Sequence, residues 1–143
     1  MKIKQLSIFI ENKEGRLRNA LEVLAKANIN IRGLSIADNE KHGIIRLIVD
    51  DVEKANDALK SANFIVKETE VIVVGVPDKP NGLNSTLELL ENNNINVEYI
   101  YSFLANEEKE AVIVMKLDKP EEGLKVLEDE GINILTKEDI INI

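Results

Sequence analysis

The sequence predicts an α+β protein built twice: two consecutive modules, each a four-stranded antiparallel sheet with two helices on one face. Three observations lead there. Residues 12–31 slide onto residues 78–97 without a gap, at a constant offset of 66. The identical pairs include Lys13/Lys79, Leu17/Leu83, Leu21/Leu87, Glu22/Glu88, Leu24/Leu90, and the run Asn28-Ile29-Asn30 against Asn94-Ile95-Asn96. Past an insertion of two residues the match resumes at offset 68, with Asp50 on Asp118 and Leu59 on Leu127. A period this long exceeds most solenoid repeats and is enough for one small domain. Within each copy, apolar periodicity switches between that of a strand and that of a helix in the order β-α-β-β-α-β.

Residues 4–11 alternate Leu6, Ile8 and Ile10 against Gln5, Ser7 and Phe9, the period of a strand. Residues 12–15 carry turn chemistry. Leu17, Ala20, Leu21, Leu24 and Ala27 then make one apolar face at helical spacing, and Asn28 ends the helix. Residues 29–37 read as a second strand, 38–43 as a polar hairpin turn and 44–49 as a third strand. Val52, Ala55, Ala58, Leu59 and Ala62 mark a second helix, and a short strand over 64–67 closes the copy. The second copy repeats the order at 71–76, 83–93, 95–105, 111–117, 121–130 and 132–135, leaving 136–143 as a tail. The expected domains are 1–68 and 69–143. The order is that of the ferredoxin-like split βαβ arrangement.

A sheet covered by helices on one face normally reads polar on the other. Here Ile44 and Ile48 share one face of the third strand while Ile45, Leu47 and Val49 share the other; residues 112–117 are similar. Both faces are therefore expected to be covered, the second one by another module or chain, which implies at least a homodimer. Each half alone would bury only about 60% of the surface its unfolded chain exposes, so the halves are expected to lean on each other.

At 143 residues, 44% hydrophobic and 31% charged, the composition is that of an ordinary soluble globular protein. There are no cysteines, which removes disulfides, zinc–thiolate sites and thiol nucleophiles. The start of the chain lacks the apolar core of a signal peptide, and no apolar run approaches the roughly 18 residues of a membrane span, so a cytoplasmic location is expected. The net charge of −8 is uneven: residues 1–68 carry +2 and residues 69–143 carry −10. So acidic a second half repels nucleic acid and anionic membrane.

Catalysis finds little support. The single histidine, His42, lies in the expected hairpin turn and reads as exposed and idle. Carboxylates such as Glu107-Glu108 and Glu121-Glu122 fall at turns or helix starts, where solvated surface is the ordinary outcome. No metal-ligand spacing, nucleophile motif or Walker-type loop is present, so no catalytic residue, metal or cofactor is assigned. The informative segment is the first loop of each copy: Asn12-Lys13-Glu14-Gly15-Arg16-Leu17, and Asp78-Lys79-Pro80-Asn81-Gly82-Leu83. Each joins a strand to a helix N-terminus. Gly15 and Asn81 occupy the same place, and Gly and Asn take positive φ most readily. Such a turn exposes backbone N–H groups at the positive end of a helix, ready for a carboxylate; the alternative is a plain capped turn.

The pattern Asn-x-x-Gly-x-Leu, a leucine-spaced helix, and Asn28-Ile29-Asn30-Ile31 opening a strand resembles the ACT domain, the small regulatory amino-acid-binding module of many biosynthetic enzymes. Asp78-Lys79-Pro80-Asn81-Gly82-Leu83 followed by Asn94-Ile95-Asn96-Val97 resembles it too, so the likeness covers nearly the whole chain, in the manner of free-standing tandem ACT proteins. The resemblance implies paired sheets set side by side, with helices on one face. A free amino acid would then be held between the loop of one module and the second strand of its neighbour. Carried over by position, the ligand-binding set is Asn12, Lys13, Glu14, Gly15, Arg16 and Leu17 with Asn96 and Val97, and Asp78, Asn81, Gly82 and Leu83 with Asn30 and Ile31. Glu14 stands in place of the common proline, and Asn81 in place of the usual glycine, with Gly82 one position later. A biosynthetic enzyme is the implied partner.

Arg32 shares strand parity with Leu34 and Ile36, and Arg46 with Ile44 and Ile48, which would place both at an apolar-walled seam. There an arginine either holds a ligand carboxylate or pairs with an acidic residue of the second half. Tyr99, Tyr101 and Phe103 form an aromatic stripe that reads as interface core. The competing functions are a structural dimerisation module without ligand, an RRM-like RNA-binding protein and an acylphosphatase-like hydrolase. The acidic balance, the 3% aromatic content and a third strand without base-stacking aromatics oppose RNA.

Overall fold

The alternation of Leu6, Ile8 and Ile10 builds β1 (Ile3–Glu11), and the leucine-spaced face builds α1 (Arg16–Lys26). They are followed by β2 (Ile31–Asp38), β3 (His42–Val49), α2 (Val52–Ser61) and β4 (Ile65–Pro77). In this computed structural model the described residues are 2–38, 41–104 and 110–143. The chain divides into two units, Lys4–Thr69 and Glu70–Ile143 together with Met1–Ile3.

In the first unit the strand order is β2-β3-β1-β4, the antiparallel order of a ferredoxin-like sheet. The register sets Leu6 opposite Leu47 and Ile8 opposite Ile45, so these side chains share one face. Ala20 and Leu24 of α1 and Ala55 and Leu59 of α2 pack on that face to form the core. Fully burying a leucine such as Leu24 is worth about 1.5–3 kcal/mol. The second unit adds α3 (Gly82–Asn92), β5 (Val97–Ser102), β6 (Glu110–Leu117), α4 (Pro120–Asp129), β7 (Asn133–Ile134) and α5 (Lys137–Ile141). Its order, β7-β4-β6-β5, repeats the first, around a core of Ile72, Val74, Leu90, Met115 and Leu127.

All four long helices stop the same way. A left-handed residue follows each: Asn28 (φ 58°), Asn63 (φ 66°), Asn94 (φ 59°) and Gly131 (φ 73°). The next amide reaches back to a leucine carbonyl, Ile29 to Leu24 at 2.9 Å and Ile95 to Leu90 at 3.0 Å, and both isoleucines are buried. This is the Schellman closure, in which the returning amide and an apolar contact satisfy and cover the last turn. The repeated Asn-Ile-Asn run is thereby explained residue by residue. Its last member is locked as well: Asn30 N–H donates to the Asp50 carboxylate (3.1 Å) and Asp50 N–H donates to the Asn30 carbonyl (3.1 Å). Asn96 and Asp118 form the same pair at 2.9 and 3.0 Å.

Several sequence expectations need correction. The strands expected at 64–67 and 71–76 are one strand, β4, of 13 residues. Pairing is a backbone property, so the polar stretch Lys67-Glu68-Thr69-Glu70 continues the strand. The tail at 136–143 contains α5, started by a capping box in which Thr136 Oγ1 accepts from Asp139 N–H and the Asp139 carboxylate accepts from Thr136 N–H. His42 and Gly43 are in β3, not in a turn; Asn39 and Glu40 of that turn, and Ala105, Glu107 and Glu108, lie outside the described residues.

Arg32 and Arg46 do not share a face by parity. Leu34 pairs with Leu47 on the helix side, whereas Arg46 pairs with Ser35 on the other. A bulge between Ile31 and Gly33 takes Arg32 out of the alternation, and β5 bulges at the matching position, between Val97 and Tyr99. Both faces of each sheet do carry buried residues. Away from the helices these are Gln5, Ser7 and Ile48 in the first unit and Val71, Val73, Val112 and Val114 in the second. The buried Gln5 amide is satisfied by donating to Ser7 Oγ at 3.2 Å.

Candidate functional site

The two strand–helix loops have the same backbone wiring. Lys13 N–H donates to the Glu11 carbonyl (2.9 Å), as Lys79 does to Pro77 (2.9 Å). Arg16 N–H donates to the Lys13 carbonyl (3.4 Å), as Gly82 does to Lys79 (3.0 Å). Asn19 N–H donates to the Gly15 carbonyl (2.9 Å), as Ser85 does to Asn81 (3.0 Å). The N-cap residues are left-handed in both, Gly15 with φ 82° and Asn81 with φ 69°. The positive φ expected at these two positions is therefore observed.

These helix starts are unusual within the molecule. No side chain caps α1, α3 or α4, but of the described helices only α1 and α3 also lack an acidic residue in the first turn. By contrast, the Asp51 carboxylate accepts from Lys54 N–H at the start of α2, and α4 opens with Glu121 and Glu122. The first N–H groups of a helix need partners and carry the positive end of its dipole. At α1 and α3 the first turn itself carries no negative side chain, and the exposed loop residues before it are Asn12, Lys13, Glu14, Asp78 and Asn81. A small anion fits such a place.

The remaining predicted site residues divide by role. Leu17 and Ile31 pack against the first core, Leu83 and Val97 against the second. Gly82 is buried, and a Cβ there would fall on the Pro77 carbonyl oxygen, so this glycine answers a close approach. Asn30 and Asn96 have exposed side chains on backbones fixed by Asp50 and Asp118. Within the first unit, Asn12 N–H bonds to Lys41 at the hairpin end of β3, whereas Asn30 bonds to Asp50 beyond its other end. Eight strand residues separate these ends, roughly 25 Å. A module cannot bring its own loop to its own Asn30.

Sequence reasoning missed a cleft of about 560 Å³ in the first unit, walled by Phe9, Ile44, Phe64 and Ile65, with Arg16 and His42 among its polar edges. The Arg16 guanidinium lies over the Phe64 ring, 5.2 Å from its centroid, and its Nε is buried without a hydrogen-bond partner among the described residues. His42 sits opposite Glu11 in the β1–β3 register. The Glu11 carboxyl is held below the usual carboxylate range, first by its hydrogen bond and ion pair with Lys13 (3.0 Å), with smaller contributions from Arg16 and His42. Among the described residues no cluster of three metal-ligating side chains occurs, and no helix is long and apolar enough to cross a membrane.

Two βαββαβ units with matched strand–helix loops define a tandem regulatory module. The ACT domain pair profile matches residues 1–143, and the chain belongs to that family. The chain is also similar to the crystal structure of protein BT0572 from Bacteroides thetaiotaomicron, at 40% identity and a TM-score of 0.94, covering 100% of this chain and 98% of that one. The ligand-free regulatory subunit of aspartate kinase from Thermus thermophilus shares the fold at 16% identity and a TM-score of 0.64, over 90% of this chain and 92% of that one. Aspartokinase III of E. coli, in complex with lysine and aspartate, shares it at 16% identity and a TM-score of 0.52, over 90% of this chain and 31% of that one. A comparison with the curated proteins finds no match.

Proposed function

We propose that this protein is a non-enzymatic amino-acid sensor, in which a strand–helix loop of one module and the second strand of a neighbouring module hold a free amino acid. The observation that carries it is the pair of uncapped helix N-termini behind left-handed N-caps, repeated bond for bond in an ACT domain pair. Their N–H groups suit a ligand carboxylate, and the amide of Asn96 or Asn30 and the carboxylate of Asp78 suit its ammonium group. The distance between Asn12 and Asn30 within one unit favours crossed pairing, the first loop with Asn96 and the second with Asn30. The lysine bound by the E. coli relative supports the ligand class. The protein acts as at least a homodimer, in the cytoplasm, on a biosynthetic enzyme.

Thermal-shift and calorimetric titration with the twenty amino acids tests this. A ligand at 100 times its dissociation constant raises stability by about 2.7 kcal/mol. Asn12→Ala and Asn96→Ala weaken binding while the fold survives, since each removes hydrogen bonds worth about 1 kcal/mol. Silence across the whole set at millimolar concentration leaves a structural pairing module in its place.

A further inference from the structure

We infer that the cleft of the first module selects the ligand: it takes a small carboxylate with a branched-aliphatic or aromatic body, once per chain, while the matching place in the second module is about half the size and lined by polar groups. The inference deepens the amino-acid reading and rests on it only for the ligand's amino group.

The two places correspond through the internal repeat. Phe9 pairs with Ile44, and Gly75, at offset 66 from Phe9, pairs with Val112, at offset 68 from Ile44. Ile65 falls on Asn133 at that second offset, and Asn133 pairs with Gly75. The first module thus has Phe9, Ile44 and Ile65 where the second has Gly75, Val112 and Asn133. In the second module Asn133 Nδ2 donates to the Glu110 carboxylate at 2.9 Å. A Cβ at Gly75 would come within 2.9 Å of that carboxylate, so a larger residue there would have to displace the Glu110–Asn133 pair. The 290 Å³ that remains is edged by Asp139 and by Asn142 and Ile143 at the end of the chain, where α5 is anchored by the buried Ile140. At the equivalent place in the first module the chain runs on as β4 to Pro77, and there Phe9 and Ile65 are 39% and 70% exposed.

The first cleft has the volume and lining of a small-molecule site, apolar walls with a few placed polar groups. Arg16 supplies the orienting charge. Stacking on Phe64 holds its planar fork, and the fork suits a carboxylate. Glu11 and Asp38 border the same space. They disfavour a dianion such as phosphate and, together with the strand asparagine of the neighbouring module, suit the ammonium group of a zwitterion whose apolar side chain lies on the walls.

Titration calorimetry on the full chain tests this with leucine, phenylalanine and their deaminated forms, isocaproate and hydrocinnamate, against aspartate, glycine and lysine. One apolar ligand per chain is expected, bound at least tenfold more tightly than the polar ones. Arg16→Gln and the exposed Ile65→Asp each weaken it tenfold or more, with melting curves confirming that both variants fold. If isocaproate or hydrocinnamate binds and Ile65→Asp abolishes it while all amino acids stay silent, the cleft stands and the amino-acid reading falls. If a polar amino acid binds best and Ile65→Asp leaves it unchanged, the sensor stands and this assignment is overturned. Two ligands per chain, or no heat from any probe at millimolar concentration, also overturns it.

Discussion

Position by position, the two strand–helix loops make the same backbone bonds with different residues. The first sets a glycine at the left-handed N-cap and an arginine after it; the second sets an asparagine there and a glycine after it. In the second loop Gly82 is pressed against the Pro77 carbonyl, leaving no space for a side chain. In the first, the chain leaves room for Arg16, and its guanidinium reaches the Phe64 ring. Duplication has preserved the bonds that shape the loop and released the side chains that decide what it faces. Common wiring therefore says what both loops can do, and the exchanged residues say where they differ.

The largest expected effect tests what the copies share. Leu24 and Leu90 are both fully buried, and Leu24→Ala or Leu90→Ala should each cost about 2–5 kcal/mol in denaturant unfolding. A much smaller cost in one unit would break the equivalence of the two cores. Next, exchanging the divergent residues should be asymmetric. Gly82→Arg forces a side chain onto a backbone carbonyl and should cost about 3 kcal/mol, the upper end for overpacking, whereas Arg16→Gly should cost about 1 kcal/mol, the helix penalty of glycine.

Gly15 sharpens the contrast, because a Cβ there would meet nothing within 4 Å. Gly15→Val should therefore cost about 2 kcal/mol through its φ of 82° alone, while Asn81→Gly, at a position already left-handed, should be nearly neutral. The smallest effect is a titration. The lowered Glu11 pKa means that its ion pair contributes above the ordinary carboxylate pKa and is lost as pH falls through the folded value. Carboxyl NMR should show Glu11 titrating below the ordinary carboxylate range and returning to it in Lys13→Ala. Pro77 offers no counterpart in the second loop.

The legible parts of this fold were those written in local periodicity. Leu17, Ala20, Leu21 and Leu24 announce α1, and Gly15 and Asn81 announce left-handed turns, because a single residue's chemistry decides each. The continuity of β4 was hidden because Lys67-Glu68-Thr69-Glu70 reads as a linker, and side-chain polarity says little about backbone pairing. The signal for α5 was present in Thr136 and Asp139, three apart before Ile140-Ile141, but five residues are too short for a periodic face. Parity misled at Arg32 because one bulge residue resets it. The cleft was illegible, since Phe9, Arg16, Ile44 and Ile65 come from separate segments and only the register assembles them.

The unit boundary has a consequence for the order in which the chain can be finished. Met1–Ile3 belong with Glu70–Ile143, although Lys4–Thr69 lie between them in sequence. Lys2 meets Glu70 at 3.0 Å and Glu121 at 3.3 Å, the second across 119 residues. These exposed pairs are individually weak, so they follow the assembly of the units rather than drive it. Lys4–Thr69 can close on its own contacts, whereas the segment of Lys2 is complete only when Glu70 and Glu121 are in place. Holding the two ends together costs closure entropy, which grows only slowly with the length of chain between them.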